Sequence, residues 1–187
     1  MSSRSRILVA ALSLVGLLVG GGGAYAWRGT AQDMEMPGPG PEHKLLEKWA
    51  GEWTAKVEMS MGPGPAEKSD AKSSVKLTCG GLWLVTDYSS TVAGAPFFGH
   101  ELRGYDPATQ KYVINWVDSW TSSFGLGEGT WDEATKTLTS NMKSSDAHEW
   151  RQIETWKDAD TREYQMLQKG ASGKESVVIR ITYSRVK

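Results

Sequence analysis

From residue 51 to its end, the sequence is a succession of short segments in which apolar and polar residues alternate. In the first segment Trp53, Ala55, Val57 and Met59 alternate with polar residues, which is the pattern of a strand with one buried face. The breaks between segments are rich in glycine, proline and aspartate, which favour turns. We therefore expect strands near residues 53–59, 73–79, 82–91, 98–105, 112–120, 124–131, 137–142, 148–157, 163–169 and 176–185.

Short connections join these roughly ten expected strands, so each strand is expected to pair with its neighbours in the chain. A sheet of this length normally curls or closes, because closure removes its exposed edges. The sequence therefore predicts an all-β fold, a single antiparallel up-and-down barrel. A β-sandwich is the alternative, although its crossovers need longer connections than most of these.

A short helix is expected before the first strand. Pro41 suits the first turn of a helix, and Leu45, Leu46 and Trp49 share one face at helical spacing. The preceding residues 27–40 are polar and end in alternating proline and glycine, which predicts a flexible tether. The barrel domain is therefore expected to span residues 41–187.

Residues 1–26 have the three parts of a secretory signal peptide. A polar start with two arginines precedes an apolar run over residues 7–19, and the small residues Ala24 and Ala26 precede the expected cut. We expect a periplasmic or secreted protein. The alternative is an uncleaved membrane anchor, because residues 7–27 carry no charge and are about long enough to cross a bilayer. In both cases the barrel lies outside the cytoplasm, and only this segment would contact a membrane.

Charge and composition exclude other classes of protein. The formal net charge is −1 and basic residues do not cluster, so nucleic acid is not an expected partner. Hydrophobic residues make up 39% of the chain, which is enough for a packed core and argues against disorder. Cys79 is the single cysteine, so it cannot form an internal disulfide, and we expect it to be a small buried residue of its strand.

Candidate binding residues come from the expected inner faces of the strands. On the strand near 112–120, Trp116, Asp118 and Trp120 share the bulky face and are expected to point inward. Asp118 then either orients a ligand among aromatic rings or caps the following turn. Phe98 and His100 share a face of the preceding strand. The candidate ligand-binding residues are Trp53, Phe98, His100, Trp116, Asp118 and Trp120.

Several motifs resemble a known family. Gly51-Glu52-Trp53 is similar to the Gly-x-Trp motif that opens lipocalin and other calycin barrels. The run from Pro39 to Val186, with motifs such as Gly104-Tyr105-Asp106 and Gly129-Thr130-Trp131-Asp132, resembles the bacterial domain of unknown function family 1579. This resemblance implies a lipocalin-like barrel and no established substrate. One departure is Trp120, an extra tryptophan where a small or flexible residue would be expected.

The sequence carries no catalytic or metal-binding signature, and we expect no metal and no cofactor. His100, Asp118 and Glu154 could still form an acid–base set if they approach one another inside the barrel. Glu154 shares a face with Trp150 on its strand. In a calycin barrel an interior histidine can also hold haem iron, as in nitrobindin-like barrels, but the three histidines have no ligand spacing.

The favoured hypothesis is an exported protein that binds a small hydrophobic or aromatic molecule inside its barrel. The alternative is a non-enzymatic interaction or structural module whose barrel is filled by its own large side chains. A calycin-type enzyme that uses Asp118 and His100 comes third. An interior cavity would favour the first hypothesis over the second. The enzyme hypothesis requires that Asp118 and His100 point to the same side of the sheet.

Overall fold

The computed structural model describes residues 38–60, 62, 64–170 and 172–187. They contain one helix, α1 (Pro41–Glu47), and ten strands. The strands are β1 (Gly51–Met59), β2 (Glu67–Thr78), β3 (Trp83–Val92), β4 (Ala95–Asp106), β5 (Lys111–Asp118), β6 (Gly125–Asp132), β7 (Thr137–Ser144), β8 (Glu149–Trp156), β9 (Thr161–Lys169) and β10 (Glu175–Arg185). The expected signal segment 1–26 and residues 27–37 of the expected tether lie outside the described residues. Within the described part of the chain, no helix is long and apolar enough to span a bilayer.

All ten strands form one closed antiparallel sheet. Each strand from β2 to β10 pairs with its neighbours in sequence, and β1 pairs with both β2 and β10 to close the ring. Trp53 on β1, for example, lies opposite Ser73 on β2 and opposite Arg185 on β10. Every strand is therefore paired on both sides, which removes the exposed edges of an open sheet. The predicted up-and-down barrel with a preceding short helix is confirmed.

The alternation of side chains on β1 explains which face of the sheet is inside. Trp53, Ala55 and Val57 are buried in the barrel, while Thr54 and Lys56 between them are exposed. A strand places successive side chains on opposite faces, so a sequence period of two produces one apolar and one wet surface. The period that predicted this strand is thus the period of the folded barrel wall.

Two glycines allow tryptophan rings to lie against the inner wall. Gly99 on β4 lies so close to the Trp116 ring that a β-carbon there would overlap the indole. Gly125 on β6 has the same relation to the ring of Trp150. Glycine in a strand interior often marks such a close approach. The glycines therefore make room for two rings that line the barrel interior.

One end of the barrel is closed by α1 and the residues that follow it. Leu46 and Trp49 are buried, as the expected apolar face of the helix predicts. Trp53 Nε1 donates a hydrogen bond to the Trp49 carbonyl at 2.9 Å. The Arg185 guanidinium stacks over the Trp53 ring, 4.1 Å from its centroid, and donates to two backbone carbonyls just after α1. The last strand thereby holds the helix against the barrel end.

Two expectations at strand ends are corrected. Thr78 pairs with Trp83, so the chain must reverse within the residues between them. Cys79 begins this reversal in a 3-10 turn with a φ of 50°, and its side chain is exposed rather than buried. β5 ends at Asp118, so Trp120 lies in the connection to β6 and not on the strand. In both places local turn geometry ends the strand before the apolar pattern does.

Candidate ligand-binding cavity

The interior of the barrel contains a cavity of about 370 Å³. The strand ends near α1 close one side, and the opposite strand ends surround the other. We call the polar group at the closed side the floor, which consists of Trp49, Glu101, Arg103, Glu154 and Arg162. We call the group at the opposite side the mouth, which consists of Phe97, Trp116, Asp118, Trp120, His148 and Trp150.

Four charged side chains of the floor pair with one another. Glu154 accepts hydrogen bonds from Trp49 Nε1 at 2.8 Å, from Arg103 Nη1 at 2.9 Å, and from Arg162 Nη1. Glu101 Oε1 lies 2.8 Å from Arg103 Nε. All of these side chains are almost completely buried. Because two carboxylates balance two guanidiniums, the floor has no net charge.

Aromatic rings surround these charges. The Arg103 guanidinium lies 5.2 Å from the ring centroid of Trp49, and that of Arg162 lies 3.8 Å from the ring centroid of Tyr183. Burial disfavours the charged form of Glu154, but the two arginines outweigh burial and hold its pKa below the ordinary 4.5. Burial also disfavours the charged form of Arg103, yet the nearby carboxylates raise its pKa. Glu154 and Arg103 are therefore both ionised at neutral pH.

At the mouth, Asp118 fixes the positions of two tryptophans. Its Oδ2 accepts a hydrogen bond from Trp116 Nε1 at 2.9 Å. Its Oδ1 accepts from the backbone N–H groups of Trp120 and Thr121 at 2.9 and 3.1 Å. The Trp120 ring packs edge-on against Phe97, with ring centroids 5.2 Å apart. Asp118 thus caps the turn after β5, one of its two expected roles, and also orients the Trp116 indole.

Between the floor and the mouth, the cavity wall carries hydroxyl groups. Tyr88, Tyr164 and Tyr183 line the cavity, and burial raises the pKa of each above the ordinary 10.0. These tyrosines are therefore protonated at neutral pH. Ser73 lies on the same wall and is 2% exposed. Its Oγ has no hydrogen-bond partner among the described residues.

Trp53, Trp116 and Asp118 point into the barrel, as the sequence predicted, whereas Trp120 lies in the connection after β5 and is half exposed. These four residues do not all face the cavity. Trp116, Asp118 and Trp120 line its mouth. Trp53 is 1% exposed and packs below the floor, where Arg162 stacks on its ring at 4.8 Å. Trp53 therefore belongs to the closed end of the barrel rather than to the cavity surface.

The expected inward positions of Phe98 and His100 are wrong. Phe98 is 56% exposed, and His100 lies on the outer surface with its Nδ1 2.7 Å from Asp87 Oδ1. The inner face of β4 instead carries Glu101 and Arg103. The sequence pattern favoured the other face because it holds the more apolar residues. The inner face is the charged one, since its charges are satisfied by partners on other strands.

The structure does not assemble the acid–base set. Asp118 lies at the mouth, Glu154 lies at the floor, and His100 is outside the barrel. Side chains on opposite faces of a sheet cannot share a substrate, so the enzyme hypothesis that used Asp118 and His100 loses one of its two residues. Glu154 and Trp150, which share a face of their strand, both line the cavity.

The histidines do not form a metal centre with other side chains in the described part of the chain. In the described ranges, no group of three or more His, Cys, Asp or Glu side chains is arranged to hold a metal ion. His148 lines the cavity at its mouth, where its Nε2 lies 2.9 Å from Gln168 Nε2. His148, and not His100, is thus the histidine that a ligand at the mouth would meet.

The sequence reasoning missed Glu101, Arg103 and Arg162. Charged residues in a strand usually face water, so nothing in a single strand predicts that these are buried. The signal that could have found Arg162 is the alternation of side chains along its strand. Arg162 shares a strand face with Tyr164 and Met166, and all three line the cavity.

Residues 38–185 match the family described as a protein of unknown function, DUF1579. The chain belongs to this family. The match spans α1 and all ten strands, and it confirms the resemblance that the motifs indicated. No curated protein sequence matches the chain.

The DUF1579 barrel is also similar to solved structures. The crystal structure of Rv2717c from M. tuberculosis matches with a TM-score of 0.62, covering 79% of this chain and 99% of that chain. The sequences are 9% identical, so the likeness shows the fold alone. It supports the lipocalin-like barrel.

Proposed function

We propose that this DUF1579 protein binds a small apolar or aromatic molecule in the cavity of its barrel. The observation that carries the proposal is the cavity itself. Its volume of about 370 Å³ falls within the range of roughly 300–1,000 Å³ that small-molecule sites occupy. A barrel filled by its own side chains, the alternative from the sequence, would not leave this space.

The mouth favours an apolar ligand. Phe97, Trp116, Trp120 and Trp150 all contribute rings to the cavity lining. Trp120 is 51% exposed, so a large apolar surface faces solvent where a ligand would enter. Exposed aromatic surface at the rim of a concave site is typical of binding sites, because a ligand removes it from water.

The mouth is also organised before a ligand arrives. The Asp118 carboxylate holds the Trp116 indole and the backbone N–H of Trp120 by hydrogen bonds within its own chain segment. A ring whose rotamer is already fixed loses less conformational entropy when a ligand packs against it. This argues that the Trp116 ring is a prepared surface for binding.

A titration with diphenylhexatriene, an uncharged hydrocarbon that fluoresces in apolar surroundings, tests the proposal. The protein is expected to bind the probe. Trp116→Ala is expected to weaken binding about tenfold or more and Trp120→Ala somewhat less, because each removes ring contacts worth roughly 1.5–3 kcal/mol when fully buried.

Trp83→Ala is the matched control. Trp83 also lies on the barrel wall, but it packs over Gly104 and does not line the cavity. This variant should bind the probe as the unmodified protein does. Equal affinity in all variants, or no binding by the unmodified protein, would reject the proposed pocket.

We also propose that the protein is exported through residues 1–26. The support is the sequence pattern of an apolar run followed by Ala24 and Ala26. Mass spectrometry of protein isolated from its native host should find a chain that begins at Trp27. A chain that begins at Met1 would favour the membrane-anchored form instead.

A further inference from the structure

The charged groups at the floor of the cavity are already paired. Arg103 pairs with Glu101 and Glu154, and Arg162 pairs with Glu154. An unpaired charge costs much desolvation free energy when it is buried. At the floor, each charge has a partner of opposite sign. A charged ligand group would therefore need to compete with a partner that is already bound.

Two uncharged polar side chains of the cavity, in contrast, carry an atom without a hydrogen-bond partner in the described part of the chain. Ser73 Oγ and Trp150 Nε1 are buried, belong to residues that line the cavity, and have no hydrogen-bond partner among the described residues. One further unpartnered nitrogen, Arg162 Nε, belongs to a guanidinium of the paired floor cluster. A buried polar atom without a partner costs free energy, so each such atom marks a place where a partner is expected.

Ser73 is well placed to meet the inner part of a ligand. It lies near the middle of β2, opposite Trp53 on β1 and opposite Tyr88 on β3. Its neighbour Tyr88 also faces the cavity and is protonated at neutral pH. A serine hydroxyl can donate to a carbonyl oxygen or accept from a hydroxyl.

From this arrangement we infer that the ligand is an uncharged, largely apolar molecule with a hydroxyl or carbonyl oxygen at its inner end, bound by Ser73 Oγ. The inference rests on the proposed function, because it describes what occupies the same cavity. The apolar body of the ligand lies between the rings of the mouth, and its oxygen lies on the hydroxyl-lined wall above the floor.

A carboxylate ligand fits less well. Its natural partner would be Arg162, but that guanidinium already holds Glu154. A second carboxylate there would lie beside the first and repel it in a site of low dielectric. An ammonium ligand would in turn approach the guanidiniums of Arg103 and Arg162 at the same end of the cavity. The floor thus disfavours both signs of charge.

Competition among three ligands with the same alkyl chain tests the inference. Decanol, decanoate and decylammonium are each titrated at neutral pH against the full chain loaded with diphenylhexatriene. We expect decanol to displace the probe at a concentration at least tenfold lower than either charged ligand. Displacement by all three at equal concentrations, or most readily by a charged ligand, would overturn the inference while leaving cavity binding in place.

Two serine variants test the role of Ser73. Ser73→Ala should weaken decanol binding about two- to tenfold, the effect of one lost hydrogen bond, and should weaken decanol binding more than binding of the hydrocarbon probe, which has no oxygen. Ser74→Ala is the control, because Ser74 is the next residue on β2 and its Oγ donates to Glu52 on the outer face. An equal decanol affinity in both variants would overturn the assignment of Ser73. Failure of the unmodified protein to bind either the probe or decanol would overturn the proposed function as well.

Discussion

The floor and the mouth of this barrel are built in different ways. At the floor, Glu154 joins side chains from different strands with Trp49 after the helix, and the cluster is buried. At the mouth, Asp118 holds Trp116 and Trp120 within a few residues of itself, and Trp120 is half exposed. Long-range contacts tie the whole fold together, whereas local contacts only shape one rim. We therefore expect the floor to determine stability and the mouth to determine binding.

The largest expected effect is on the tryptophan below the floor. Trp53→Ala removes a ring that is 1% exposed and that stacks with Arg162 and Arg185. We expect a loss of about 4–5 kcal/mol in the free energy of unfolding, because a cavity replaces the ring. Trp120→Ala at the mouth should cost no more than about 1 kcal/mol. Urea denaturation of both variants measures the difference, and similar losses would break the proposed division of roles.

A slightly smaller effect is expected at the centre of the floor. Glu154→Gln keeps the shape of the side chain but leaves Arg103 and Arg162 buried without their shared carboxylate. Removing one partner of a buried ion pair typically lowers the free energy of unfolding by about 3–5 kcal/mol. We expect a loss of about 3 kcal/mol here, because the glutamine amide can still accept hydrogen bonds from the arginines. Glu128→Gln, which loses an exposed pair with Lys111, should cost less than about 1 kcal/mol.

The pH dependence of stability gives an independent test of the same cluster. The pKa of Glu154 lies below 4.5 in the folded protein, so its ionised form stabilises the fold above that pH. This contribution is lost as the pH falls from about 4.5 through the lower folded value. Glu154→Gln should therefore lose less stability than the unmodified protein on acidification over that range. Parallel curves in urea denaturation at a series of pH values would contradict the account.

A smaller loss of stability than at the floor is expected at Asp118. Asp118→Ala should cost about 1–2 kcal/mol, because it removes the turn cap and the partner of the Trp116 indole. Its larger consequence should be a severalfold weaker affinity for diphenylhexatriene. Asp106→Ala is a matched control, since Asp106 caps the turn after β4 in the same manner but at the closed end. If both variants bind the probe equally well, Asp118 does not position the mouth.

The barrel could be predicted from the sequence because its strands are sequential and their period is visible in residues such as Trp53, Ala55 and Val57. The mouth could be predicted on β5, where the bulky face carrying Trp116 is also the inner face. Both predictions rest on patterns within single strands and on the short connections between neighbouring strands.

The floor could not be predicted in this way. On β4 the inner face carries Glu101 and Arg103, and the outer face carries the exposed Phe98. Which face points inward is set by the register with neighbouring strands, and a single strand does not contain that information. The partner of Arg103 is Glu154, 51 residues away. Pairing at such a separation becomes visible only in the folded barrel.

We propose above all that the open half of the barrel is a binding cavity. The nine tryptophans provide nine indole N–H signals in a nitrogen–proton correlation spectrum, which can be followed as diphenylhexatriene is added. We expect the signals of Trp116, Trp120 and Trp150 to shift in proportion to one another and to saturate together. Those of Trp53 and Trp83 should stay in place, because Trp53 lies below the floor and Trp83 lies outside the cavity. A shift of Trp83 without the mouth signals, or no shift in any indole signal, would contradict the claim.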